Sequence, residues 1–124
     1  SDITYRVYVY DRLSNGKPRQ LHIAQSSDVI SVPAKSVDYS VVHTEKKDDA
    51  IQQLIRCPYY TVYRIDVEHR VETWQDKPLV PMSAVEGEGT LTGTHLKKGD
   101  HLILPDGYGK VELQGRMQII ASTI

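Results

Sequence analysis

The sequence predicts a mainly β fold, a sandwich or barrel of many short strands. Three observations predict it. Beyond Pro58, short runs of β-branched and aromatic residues alternate with turn signals, most of them containing glycine. Gly99 is followed by five residues, then Pro105, one residue and Gly107. That spacing frames 101–104 as a short buried strand between two tight turns, with Pro105 at a strand end where no donor is needed. Finally, 124 residues are one domain's worth and bury a core without disulfides or metals.

Taken in order, residues 4–10 (Thr-Tyr-Arg-Val-Tyr-Val-Tyr) read as a strand, with Tyr5, Val7 and Val9 on one face and Arg6, Tyr8 and Tyr10 on the other. Asn15-Gly16 marks a turn, and Pro18 suits the first turn of a helix over about 18–30. Leu21 and Ala24 share a face of that helix, with Ile23 and Ile30 beside it, an incomplete apolar stripe. Val32-Pro33-Ala34 ends it, and 36–42 reads as irregular or short strand. Asp48-Asp49-Ala50 fits the start of a helical turn, whereas 51–57 fits a strand equally well. Strands are then expected at 59–67, 71–74, 82–85, 90–92, 101–104, 110–113 and 117–122. The mixed charges of 45–49 read as a solvated loop.

Composition narrows the partners. A formal net charge of −1 argues against nucleic acid or an anionic membrane as the main partner. No apolar run approaches a transmembrane helix, and no signal peptide precedes the strands. Cys57 is the single cysteine, so no intrachain disulfide forms, and a cytoplasmic location is expected. Eight tyrosines and no phenylalanine give most aromatic positions a polar tip. Without an initiator methionine, Ser1 reads as the start of a segment. Of the five histidines, His95 and His101 flank a turn and are placed to face each other across a hairpin. Their spacing matches no ligand pattern, and His22, His43 and His69 read as solvated. Cys57 reads as buried and inert.

The Gly99, Pro105 and Gly107 spacing resembles the second signature motif of the cupin β-barrels, and Glu86-Gly87-Glu88-Gly89 resembles the closing turn of the first. The resemblance implies a jelly-roll β-barrel. It also fixes where metal ligands belong. Val80 stands at the place of the glutamate, Lys110 at that of the second motif's histidine, and the histidine pair falls at Trp74 and Asp76 or at Thr73 and Gln75. Valine has no donor atom and a lysine ammonium no lone pair, so no metal is expected in this barrel.

The amino-terminal stretch Ser1-Asp2-Ile3-Thr4-Tyr5-Arg6, with Arg12 six residues on, resembles a segment of type I mannose-6-phosphate isomerases. The short bacterial form is the nearer match over essentially the whole chain. Tyr10-Asp11-Arg12-Leu13, Leu21-His22-Ile23, Val85-Glu86-Gly87-Glu88-Gly89 and Leu96-Lys97-Lys98-Gly99-Asp100-His101 all take part. Val9 departs from it, standing where relatives commonly carry an acid. The resemblance implies an enzyme that interconverts mannose 6-phosphate and fructose 6-phosphate through an enediol, with a zinc whose ligands lie in a preceding catalytic domain absent from this chain. No cofactor is implied within the chain itself. Arg6 then corresponds to a catalytic arginine and Arg12 to a substrate-binding one, a sugar phosphate being the ligand. Residues 1–38 are expected to form a strand-and-helix segment linked to the missing domain, and 39–124 a metal-free cupin-like barrel. From the residues alone, both arginines read equally as solvated side chains. A free-standing, metal-free cupin that binds a sugar or a partner protein is the other reading, and the upstream gene sequence separates the two.

Overall fold

The computed structural model describes residues 4–34, 36 and 41–124. The chain divides into two compact units, Ser1–Val41 and Val42–Ile124.

In the first unit, the expected strand over 4–10 does not form; among the described residues the first strands are β1 (Leu13–Ser14) and β2 (Lys17–Pro18). A period-two pattern makes a strand only where a partner completes the ladder, and here the main chain turns away. Tyr10 and Asp11 lie at φ +51° and +56°, and Arg12 N–H donates to Val9 O at 3.0 Å, a type I′ turn. Asn15 and Gly16, at φ +53° and +74°, make a second such turn that pairs β1 with β2 antiparallel. Pro18 therefore ends a hairpin, and the helix is shorter than expected: α1 (Ile23–Val29), with His22 at its N-cap position. Most of the 36–42 reading lies outside the described residues.

The second unit is one seven-stranded antiparallel sheet. Its strands are β3 (Ala50–Arg56), β4 (Thr61–Val67), β5 (Arg70–Gln75), β6 (Leu79–Leu91), β7 (Thr94–Lys97), β8 (His101–Pro105) and β9 (Gly109–Thr123). They run β3-β4-β9-β6-β7, with β5 added to β9 and β8 to β6. Two long strands carry the architecture. The carboxy-terminal half of β9 pairs with β4 and its amino-terminal half with β5, while β6 pairs with β8 and then β7. The strands expected at 82–85 and 90–92 are thus one, as are those at 110–113 and 117–122. Gly87 and Gly89 lie within β6 and do not close a turn.

The jelly-roll β-barrel expected from the sequence is not formed, because the sheet does not close. No ladder joins β5 to β8. The link there is a single side chain: Gln75 Nε2, at the end of β5, donates to Pro105 O at 2.8 Å, at the end of β8. Closure requires a continuous ladder, and a proline at the strand end offers no N–H to begin one. The sheet instead bends on itself around one core. Val111, Leu113, Met117, Ile119 and Ala121 alternate inward along β9, meeting Ile65, Val67, Val71, Met82, Leu91, Leu96 and Leu104 from the other strands. On the outer side, Arg70 bonds to Glu72 and Glu112, and Lys110 lies 3.3 Å from Glu72, a cross-strand charge ladder facing water.

The 45–49 segment is more than a solvated loop. Asp49 Oδ1 accepts the main-chain N–H groups of Glu68 (2.9 Å), His69 (2.8 Å) and Arg70 (3.1 Å), and its Oδ2 lies 3.0 Å from His69 Nδ1. These donors, the His69 and Glu68 amides foremost, lower the Asp49 carboxyl from 3.8 to about 2. A lowered carboxyl contributes stability that is fully present above 3.8 and lost as pH falls through about 2. Asp49→Asn is therefore expected to flatten the fall of melting temperature across that window. Parallel profiles for the two proteins would show that the carboxylate does not hold the β4–β5 turn.

Candidate functional site

Arg6 sits in irregular chain, yet its main chain is tied on both sides. Its N–H donates to His22 Nδ1 at 3.2 Å, and His22 N–H donates back to Arg6 O at 2.7 Å. His22 is in turn fixed to α1, because its carbonyl accepts from Ser26 N–H (2.9 Å) and Ser26 Oγ (2.7 Å). The Tyr5 ring stands 6.0 Å from the imidazole, tilted by 55°. Arg6 is half-buried and Arg12 is exposed just after the turn at 9–12. Among the described residues neither guanidinium forms an ion pair, and each carries a fork of donors suited to an anionic ligand. His22, expected to be solvated, is half-buried and bonded. Sequence offered one signal for it, its place inside the family-like Leu21-His22-Ile23 run.

The second unit has a cavity of about 230 Å³ that Thr73, Trp74, Gln75, Asp76 and Val80 help to line, with an apolar floor that includes Ile65, Met82 and Leu104. Thr73 to Asp76 and Val80 are the positions that correspond to the first motif's ligand places. Gln75 is buried, and its amide is engaged: Nε2 donates to Lys77 O and Pro105 O, each at 2.8 Å, and Oε1 accepts Lys77 N–H at 2.6 Å. Asp76 lies 3.2 Å from Lys77. Lys110 reaches the outer charge ladder instead of the cavity. Among the described residues no three of His, Cys, Asp and Glu gather as a metal would require.

His95 and His101 do not meet as a pair. His95 Nε2 lies 3.6 Å from Glu88, whereas His101 Nδ1 is 2.8 Å from Ser83 Oγ, its register partner across β6 and β8. Cys57 is half-buried. No helix among the described residues is long and apolar enough to cross a membrane.

Residues 50–124 match the family described as "Mannose-6-phosphate isomerase, cupin domain". The chain belongs to this mannose-6-phosphate isomerase family. It is 39% identical over 127 residues to mannose-6-phosphate isomerase ManA of Bacillus subtilis, a match that covers 98% of this chain and 40% of that protein. The mannose-6-phosphate isomerase of Streptococcus mutans is 36% identical, over the same shares of the two chains. The chain thus spans about 40% of the length of these relatives. The crystal structure of the B. subtilis mannose 6-phosphate isomerase superposes with a TM-score of 0.68 at 35% identity, over 100% of this chain and 41% of that one. A cupin superfamily protein from Desulfitobacterium hafniense, at 13% identity and a TM-score of 0.52 over 65% of this chain and 83% of its own, shares the fold alone.

Proposed function

We propose that this chain is part of an enzyme that interconverts mannose 6-phosphate and fructose 6-phosphate, and that it supplies two arginines to the active site. The similarity to mannose-6-phosphate isomerases over essentially the whole chain carries this reading, and the motif resemblance at the amino terminus singles out Arg6 and Arg12. In the reaction a proton moves between adjacent carbons while negative charge gathers on the sugar oxygen. A fixed guanidinium beside that oxygen, Arg6, stabilises the enediolate more than the neutral sugar, and so lowers the barrier. Arg12 serves the other end of the substrate, binding phosphate oxygens through its fork of donors.

The donors among the described residues do not fit a zinc ion. Val80 and Lys110 occupy ligand places, Gln75 is fully bonded internally, and Asp76 is a single carboxylate beside Lys77. The zinc that the resemblance implies belongs with ligands in a preceding domain, and the acid and base with them.

Two results test the reading. The isolated chain should give background rates in a coupled assay for fructose 6-phosphate, even with added zinc. The longer protein should turn over, and Arg12→Ala in it should raise KM about tenfold or more with kcat little changed, the loss of one charge-assisted phosphate contact. Metal-dependent turnover by the isolated chain, or an unchanged KM in the folded variant, would overturn the assignment it concerns.

A further inference from the structure

We propose that His22 is a positioning residue for Arg6, acting through the main chain of Arg6 and not on the sugar. The inference rests on the assignment of Arg6 to the active site made above. Arg6 lies outside any strand or helix, so no ladder fixes its φ and ψ. What fixes them is a reciprocal pair of bonds to one residue sixteen positions away, N–H to Nδ1 at 3.2 Å and O from N–H at 2.7 Å. The second bond is main chain to main chain and survives any substitution at 22 except proline. The first needs an acceptor at the Nδ1 position, which the imidazole offers only when that nitrogen carries no proton. Tyr5 against one side of the ring and Ser26 bonded to the His22 carbonyl oppose rotation of the acceptor.

The consequence for chemistry follows from reach. The Arg6 guanidinium has no ion-pair partner among the described residues, and its position is inherited from its own backbone. A guanidinium at the end of a long side chain moves by an ångström or more when its main chain rotates slightly. Misplacement on that scale costs about a hundredfold in rate. The loss should appear in kcat, because the developing charge, not the ground-state sugar, needs the cation in place.

The experiment uses the intact isomerase that carries this chain, with mannose 6-phosphate as substrate. His22→Phe keeps a ring against Tyr5 but removes the acceptor; His22→Asn places an amide oxygen near the Nδ1 position. His22→Phe is expected to lower kcat tenfold to a hundredfold with KM within about twofold, and His22→Asn to restore most of the loss. In an Arg6→Ala background, His22→Phe should cost nothing further. Circular dichroism and melting temperature accompany each variant, and if His22→Phe does not fold, His22→Leu, which also lacks an acceptor, takes its place with the same expectation. A folded acceptor-less variant with wild-type kcat, equal losses in the Phe and Asn variants, or an undiminished His22 effect beside Arg6→Ala would each overturn the proposal. The underlying reading fails separately: there Arg6→Ala itself leaves kcat unchanged.

Discussion

Arg6→Ala in the intact isomerase should lower kcat about a hundredfold or more, with a smaller change in KM. The figure follows from removal of a single donor aimed at a developing oxyanion. The direction follows from where the charge appears, since the sugar carbonyl gains full negative character only as the enediolate forms. Arg6→Lys should recover part of the loss, because it keeps the charge but gives up the planar fork. The half-buried setting of Arg6 favours a large effect: a cation partly withdrawn from water acts in a lower effective dielectric than an exposed one. Arg12, exposed, is the internal contrast, its loss falling on KM. A folded Arg6→Ala enzyme with near-wild-type kcat would return Arg6 to an ordinary solvated arginine.

As candidates, Arg6 and Arg12 were legible through their place in a motif that resembles the family's. His22 was not. A histidine inside an amphipathic run looks the same whether its ring faces water or accepts an amide proton from a residue sixteen positions earlier. Long-range bonds between a side chain and a distant main chain leave no periodic trace. The Asp49 clamp on the β4–β5 turn was hidden likewise, since Glu45 to Asp49 has the composition of a solvated loop and only the approach of residues 68–70 gives the carboxylate its donors.

In the fold, alternation and turn chemistry placed β4, β5 and β8 to within a few residues. Pro105 at the end of β8 is where a residue lacking an N–H belongs. The misreadings share a cause. Thr4 to Tyr10 has the alternation of a strand, but alternation describes a surface and not a partner. Pro18 fits the first turn of a helix and equally the end of a hairpin set by Asn15-Gly16. Barrel closure was inferred from turn motifs, which report local backbone and cannot tell whether β5 and β8 share a ladder. Gly87 and Gly89 were read as a closing turn because a glycine that turns the chain and one that lets two strands touch look identical in sequence.

That second role makes Gly115→Ala a strongly damaging small substitution in the sheet, as it does Gly87→Ala, whose Cβ would collide with Arg116 O. Gly115 lies opposite Gly89 where β9 bends over β6, at φ +113°. A Cβ there would stand 2.7 Å from Gly89 Cα and 2.9 Å from Glu88 O, both main-chain atoms that cannot swing aside. The cost combines a backbone conformation unfavourable to alanine with an overpacked contact at the central ladder, together about 3–5 kcal/mol. Against a total stability of about 5–15 kcal/mol, that is a large fraction, and at the lower end of the range it leaves much of the chain unfolded. Gly93 provides the control. Its φ of +86° is also left-handed, but nothing lies within 4 Å of its Cβ position, so Gly93→Ala should cost only the conformational part, about 1–2 kcal/mol. Urea titrations of the two variants separate strain from collision: the difference between their midpoints measures the close approach of β6 and β9. If Gly115→Ala unfolds at the same urea concentration as Gly93→Ala, the strands can part at little cost, and the glycine pair is not what allows the sheet to fold over its core.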